Sequence, residues 1–174
     1  MQGLRTTAQA PRLWQGSSTD ARVTQQMGEG SRMIDSGGYG IYIHIPLCLR
    51  RCGYCDFHSH VGSAVAPAYV EAVVAELRSR IAPYAGLPLT SLYIGGGTPS
   101  LLQPQQVERL LRACPSRPGE ITLEVNPATV DREGLSRLHD LGITRLSLGI
   151  QSFHADELAF LGRIHSVEQS RDLL

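Results

Sequence analysis

Lysine is absent from this chain, and all 16 of its basic residues are arginine. Chemistry that depends on lysine, such as a Schiff base or the phosphate-binding lysine of a P-loop, is therefore excluded. The 16 acidic residues bring the formal net charge to zero. No basic stretch stands out either, so nothing in the sequence indicates nucleic acid or an anionic membrane surface as a partner. No apolar run approaches the ~18 residues that a transmembrane helix needs.

Cysteine is also scarce, but three of the four cysteines lie in one short loop. Cys48, Cys52 and Cys55 form a C-x3-C-x2-C pattern directly after an apolar stretch. Cysteine thiolates hold iron–sulfur clusters, and a four-iron cluster offers four iron corners. Three thiolates would therefore leave one iron without a protein ligand, and an open coordination position is typical of a catalytic metal centre.

Two other interpretations of the cysteines stay open at this stage. Zinc is an alternative because His44, His58 and His60 lie near enough in sequence to complete a site, although the second Cys-x2-Cys pair of common zinc sites is missing. A disulfide is the weaker alternative, since the loop has an odd number of thiols. The fourth cysteine, Cys114, ends an amphipathic run and is best interpreted as a small buried hydrophobic residue.

From residue 39 onward the chain alternates between strand patterns and helix patterns. Strands are predicted over residues 40–45, 89–94, 120–125 and 143–150, and helices over 67–81, 104–114 and 131–141, with a last helix opening at a capping box over 166–169. This alternation favours an α/β fold built from about four βα units around a parallel sheet.

The residues that could carry chemistry fall at the carboxyl ends of those strands. The cysteine loop follows the first strand, a glycine run at 95–97 ends the second, Glu124 is near the end of the third, and Gln151 ends the fourth. In a β/α barrel the chemistry occurs on loops at this end of the strands. Four independent placements at one edge are stronger evidence for a site than any single motif.

Several motifs together resemble the radical S-adenosylmethionine (radical SAM) family. They are YIHIP with the cysteine loop from residue 42, YIGGGTPS from 93, LEVNP from 123, RLSLGIQSF from 145, and LGRIH from 161. The resemblance is to the branch that contains the oxygen-independent coproporphyrinogen III oxidases and the HemW-type heme chaperones. It implies a TIM-like radical SAM barrel, of which this chain would be the N-terminal, truncated part.

The resemblance also implies cofactors and the residues that hold them. Cys48, Cys52 and Cys55 would bind a [4Fe-4S] cluster whose open iron chelates the methionine part of SAM, and electron transfer from the cluster would cleave SAM to a 5′-deoxyadenosyl radical. The positions that match SAM-binding or SAM-adjacent residues of the family are Tyr42, Tyr54, Gly96, Gly97, Thr98, Glu124, Gln151 and Arg163. Glycines allow close backbone approach to a ligand, and an arginine can pair with a carboxylate.

Two details separate the subgroups of this branch. The cysteine motif of the oxidases resembles C-x3-C-x2-C-x-C, whereas this chain has Phe57 at the position of the fourth cysteine. Its Cys-Asp-Phe-His-Ser-His run from residue 55 resembles the HemW-type pattern instead, with His58 in place of an asparagine. The expected function is therefore heme binding and delivery to apo-proteins, with coproporphyrinogen oxidation as the alternative and a zinc-binding structural module as a weaker one.

The remaining expectations concern the ends of the chain and its partners. Residues 1–38 lack hydrophobic periodicity, so we predict a disordered or non-native extension, and residues 39–174 are predicted to be the barrel part. The resemblance implies SAM, heme or a porphyrin, and a reductant such as flavodoxin or ferredoxin as partners. A cytoplasmic protein is expected, or a mitochondrial one if the Arg-containing residues 1–32 are a transit peptide.

Overall fold

A computed structural model describes residues 37–174 of the chain. The predicted extension over residues 1–38, and with it the transit-peptide alternative, lies outside the described residues except for Gly37 and Gly38. The elements, in chain order, are β1 (Tyr39–Ile45), β2 (Leu47–Cys48), β3 (His60–Val61), α1 (Pro67–Ile81), β4 (Leu89–Gly96), α2 (Pro104–Ala113), β5 (Glu120–Val125), α3 (Arg132–Leu141), β6 (Arg145–Leu148), α4 (Ala155–Phe160) and α5 (Val167–Asp172).

The main sheet has four strands in the order β1-β4-β5-β6, and every neighbouring pair is parallel. Sequential strands are thus spatial neighbours, with α1, α2 and α3 in the connections between them. This is the α/β arrangement with a parallel sheet that the sequence predicts. Within residues 37–174, no helix is both long enough and apolar enough to cross a membrane.

The two faces of the sheet differ sharply in polarity. On one face, Ile45, Ile94 and Leu123 are fully buried, and they pack with α1 and α2 residues into a single core. The alternating positions on the other face carry Tyr42 and Glu124, which are not buried. Side chains alternate between the two faces of a strand. The apolar face therefore packs against the helices, and the opposite, polar face is available for a site.

Local sequence signals explain where α3 begins and ends. The side chain of Asp131 accepts a hydrogen bond from the Gly134 amide at 2.7 Å, which satisfies one of the free N–H groups of the first turn. Gly142 then takes a left-handed conformation, φ 100°, at the other end. Its amide donates to His139, and the amide of Ile143 donates to Leu138, which together form a Schellman motif.

The fourth strand is shorter than predicted. Residues 143–150 were expected to be extended, but β6 covers only Arg145–Leu148. The amide of Ile143 is used by the helix cap, and the amide of Ile150 donates back to the Leu148 carbonyl at 2.9 Å in a tight turn. The two ends of the apolar run over residues 143–150 therefore form turns and do not join the hydrogen-bond ladder of the sheet.

Candidate functional site

The cysteine loop is closed at its base by a small parallel ladder between β2 and β3. The His60 amide donates to Pro46 at 2.8 Å, and the Gly62 amide donates to Cys48 at 2.9 Å. Inside the loop, the Cys55 amide donates to the Cys52 carbonyl at 3.1 Å. The loop therefore leaves and returns to one point next to the end of β1. The sequence does not predict this ladder, because two-residue strands carry no periodicity.

The loop lines one cavity together with the ends of the other strands. The cavity has a volume of about 340 Å³. Its lining includes all three loop cysteines and seven of the eight other candidate residues, namely Cys48, Cys52, Cys55, Tyr54, Gly96, Gly97, Thr98, Glu124, Gln151 and Arg163. Ten of the eleven candidate residues, scattered over more than a hundred positions of sequence, thus share one cavity.

Tyr42 is the candidate that does not line this cavity. Its side chain is 59% exposed, and its ring stacks on Tyr93 with a centroid distance of 5.9 Å. Its hydroxyl hydrogen-bonds the Nδ1 atom of His44 at 3.0 Å. Contact between Tyr42 and SAM stays a prediction.

The thiols are partly buried and unpaired with one another. Cys48, Cys52 and Cys55 are all free cysteines of intermediate exposure. Half-buried thiols can reach a ligand in the cavity while the protein shields them from water. Cys114 has the same exposure class but packs against the hydrophobic core, where burial raises the pKa of its thiol and its sulfur lies 3.6 Å from the Leu110 carbonyl. A raised pKa makes a thiol unreactive, which agrees with the expected buried hydrophobic role.

Gly97, the last residue of the glycine run, lies so close to the cysteine loop that a side chain does not fit. A Cβ atom on Gly97 would lie 2.9 Å from the Cys48 sulfur and 2.7 Å from the Leu47 carbonyl oxygen. Gly96 has φ 118°, a conformation that other residues rarely adopt. The Gly97 amide is used by the Ile45 carbonyl at 2.8 Å. The run therefore fixes the ends of β1 and β4 against the loop.

Glu124 is held in place by two hydrogen bonds at its two oxygens. Oε1 accepts from the Tyr93 hydroxyl at 2.7 Å, and Oε2 accepts from the Gly96 amide at 2.9 Å. Burial of the Tyr93 ring and the bond to Glu124 both raise the pKa of the Tyr93 hydroxyl. The hydroxyl therefore stays protonated and remains a donor. The carboxylate thus orients the glycine run and keeps free lone pairs for a ligand.

Arg163 brings a positive charge to the thiol cluster. One Nη atom is 3.5 Å from the Cys52 sulfur, and the other donates to the Gly149 carbonyl. The Nε atom is buried and has no hydrogen-bond partner among the described residues. A buried N–H without an acceptor is rare in folded proteins. Arg163 also lines the cavity, and its positive charge suits a carboxylate or a sulfur-rich anion there, so the donor set fits both a cluster and the carboxylate of an amino-acid ligand.

The zinc alternative gains no support from the geometry. Both ring nitrogens of His44 are engaged, one by the Tyr42 hydroxyl and the other by the His58 carbonyl at 2.8 Å. Over residues 37–174, no three His, Cys, Asp or Glu side chains converge closely enough to hold a single metal ion. A zinc–sulfur distance is about 2.3 Å, so zinc ligands must crowd around one point. A multi-atom cluster does not impose that crowding on its thiolates.

The model of the Radical SAM superfamily matches residues 42–174 of the chain. The chain belongs to this superfamily. Membership implies SAM and an iron–sulfur cluster as cofactors.

Curated relatives and a solved structure narrow the likeness within the superfamily. The chain is 38% identical over 146 residues to the heme chaperone HemW of Escherichia coli, which covers 80% of this chain and 39% of that protein. It is 40% identical over 136 residues to HemW of a Synechocystis strain, which covers 71% of this chain and 32% of that protein. A mitochondrial radical S-adenosyl methionine domain-containing protein 1 from Danio rerio is 35% identical over 136 residues, with 75% and 31% covered.

The likeness in structure is to coproporphyrinogen III oxidase (HemN) from Escherichia coli, described as a radical SAM enzyme. The TM-score is 0.69 at 30% identity, over 76% of this chain and 32% of the oxidase. The chain therefore spans less than two fifths of the length of the proteins it matches.

Proposed function

We propose that Cys48, Cys52 and Cys55 hold a [4Fe-4S] cluster and that SAM binds beside it in the same cavity. The observation that carries this proposal is the convergence of the three thiols with the glycine run, Glu124 and Arg163 on one 340 Å³ cavity. When bound, the cluster would supply the electron that cleaves SAM, as in the superfamily that the chain belongs to.

Each residue has a distinct task in this proposal. The thiolates ligate three irons and leave the fourth for the amino and carboxylate groups of SAM. Gly96 and Gly97 line the cavity, and because they have no side chains their backbone can lie close to the methionine end. Arg163 lines the cavity with a guanidinium group that can pair with a carboxylate. Thr98, Gln151 and Tyr54 line the cavity as further polar contacts.

We infer that the protein handles heme in the HemW manner. The relatives at 34–40% identity that support this are named heme chaperones. Phe57 occupies the position at which the oxidase motif has its fourth cysteine. Its side chain is 63% exposed and lines the cavity. Heme delivery to apo-proteins, with flavodoxin or ferredoxin as the electron source, is then the whole protein's task. Coproporphyrinogen III oxidation is the second candidate, because the structural likeness is to that oxidase.

The location in the cell is part of the proposal. Residues 39–174 would act as the N-terminal part of a radical SAM barrel in the cytoplasm. A mitochondrial location is the alternative, and a relative from Danio rerio is named mitochondrial.

The first experiment is anaerobic cluster reconstitution of the 174-residue chain. We expect about four iron and four sulfide per chain, no iron after Cys52→Ala, and full iron after Cys114→Ala, because Cys114 lies outside the cavity. SAM should then change the EPR signal of the reduced cluster. Stoichiometric zinc without iron after anaerobic purification, or an unchanged EPR signal at saturating SAM, would contradict the proposal.

The second experiment separates heme handling from oxidation. Heme should bind and be passed to an apo-protein, and coproporphyrinogen III should not be converted. The test uses a version of the protein extended to the length of its relatives. Conversion to protoporphyrinogen IX at the rate of a true oxidase would reverse the ranking of the two functions.

A further inference from the structure

We propose that His165 is a positioning residue that holds the Ile150 carbonyl and thereby fixes Gln151 at the cavity. This inference rests on the proposed function, since Gln151 is one of the predicted SAM contacts. His165 itself does not line the cavity, so it would act through the backbone it holds.

His165 is buried and makes one directed hydrogen bond. Its side chain is 4% exposed, and its Nε2 atom lies 3.0 Å from the Ile150 carbonyl oxygen. A carbonyl only accepts, so Nε2 must carry the proton. Nδ1 is buried with no partner among the described residues, as expected for the unprotonated nitrogen of a neutral ring. Burial and the nearby Arg163 charge lower the pKa of the His165 imidazole, which supports the neutral form.

The carbonyl that His165 holds belongs to a strained turn. Gln151 has φ 69° and is the one non-glycine residue with positive φ among those described. The Ser152 amide donates to the same Ile150 carbonyl at 2.9 Å, so the bond spans only two residues. A three-residue turn with positive φ at its centre is rare and strained. Such a conformation persists only where the surrounding structure over-determines it.

The support comes from one segment that follows α4. Gly162, with φ 70°, ends that helix in a Schellman motif, in which the Arg163 amide donates to Leu158. The chain then returns so that Arg163 donates to Gly149 and His165 to Ile150. Two consecutive carbonyls before Gln151 are thus held by two side chains that lie two residues apart. We call Arg163 and His165 the carbonyl clamp.

The clamp gives a physical reason for a histidine at this position. The Ile150 carbonyl accepts from the Ser152 amide and has a second lone pair for a donor from the following segment, and the ring Nε2–H is that donor. Glutamine has an amide N–H at a similar reach, whereas leucine matches the bulk and has no donor. His165→Gln and His165→Leu therefore form a matched pair in which only the hydrogen bond differs.

Amide hydrogen exchange of the 174-residue chain tests the clamp without any cofactor. We expect the Ser152 amide to exchange at least tenfold faster in His165→Leu, to stay within about threefold of wild type in His165→Gln, and core amides of β4 to be unchanged in both. Equal Ser152 protection in the leucine variant would overturn the clamp. If that variant does not fold, His165→Asn takes its place with the same expectation, because its shorter amide does not reach the carbonyl.

SAM affinity then tests whether the clamp acts through Gln151. At matched iron content, His165→Leu should bind SAM about tenfold more weakly, and His165→Gln should bind almost normally. In a Gln151→Ala background, the His165→Leu change should reduce SAM affinity much less, because the side chain that His165 positions is already absent. Fully additive losses would overturn positioning through Gln151. Absence of SAM binding in the wild-type chain would instead refute the proposed function, while the exchange result still decides the clamp.

Discussion

Arg163 donates to the sulfur of Cys52 across 3.5 Å, although the two residues are 111 positions apart in the chain. The contact joins the turn after α4 to the cysteine loop after β1. It places a permanent positive charge beside a thiolate that is proposed to bind iron. Hydrogen bonds to cluster sulfurs tune reduction potential, so this contact bears on both cluster chemistry and SAM binding.

Replacing Arg163 should therefore affect the potential and the affinity together. We expect Arg163→Gln to keep its cluster, to shift the reduction potential to a more negative value because a positive charge is lost, and to bind SAM about 10- to 100-fold more weakly, as for loss of a hydrogen bond to a charged group. Redox titration followed by EPR, and equilibrium SAM binding, measure the two effects. Arg171→Gln, an exposed position on α5, is the control. An unchanged potential and affinity in Arg163→Gln would show that the contact has no role.

Gly97 should tolerate no side chain. A Cβ atom there would lie 2.9 Å from the Cys48 sulfur, closer than real Cβ contacts come. Gly97→Ala should thus displace Cys48 and lower the iron content after reconstitution to less than half of wild type. Gly119→Ala is the matched control, because nothing lies within 4 Å of its Cβ position. Normal iron content in Gly97→Ala would mean that the loop can move away without loss.

The sequence alone predicts the parts of the fold that depend on local signals. Asp131, Gly142 and the capping box at Ser166 mark helix ends correctly, because each works through bonds to backbone a few residues away. The parallel order of the strands and their shared end follow from βα alternation. Those two facts were enough to predict that the cysteine loop and the glycine run lie at the same edge of the sheet.

The parts that the sequence does not predict depend on tertiary contact. α4 has only six residues, so its periodicity is too short to recognise. The early end of β6 reflects hydrogen bonds that Ile143 and Ile150 make elsewhere. The role of His165 needs a carbonyl 15 residues away. The spacing of residues in the sequence does not predict these hydrogen bonds, because each forms only after the segment between its two partners has folded.

Glu124 should matter for the glycine run as well as for ligand binding. Glu124→Leu removes both acceptor oxygens, so the Tyr93 hydroxyl and the Gly96 amide lose their partner. We expect an unfolding free energy lower by about 1–3 kcal/mol, the cost of leaving a partly buried donor unsatisfied, and weaker SAM binding. Denaturant unfolding and SAM titration measure these effects. Tyr93→Phe removes one of the two bonds and should cost less, and an equal or larger loss would place the main role on Tyr93.

Acid should destabilise the fold through His165. The folded-state pKa of this histidine lies below its usual 6.5, because burial and Arg163 disfavour the imidazolium. The unfolded chain therefore takes up the proton first as the pH falls through about 6.5, and stability is lost on the acid side of that value, by at most about 1.4 kcal/mol per pH unit for one proton. Above that pH both states are neutral at this residue and it contributes no slope. To isolate His165, the measurement is the difference in unfolding free energy between wild type and His165→Gln from pH 7.5 to 5.5, in the chain without cofactors. Wild type should lose stability faster than the variant, and parallel curves would show that His165 is protonated equally easily in the folded state.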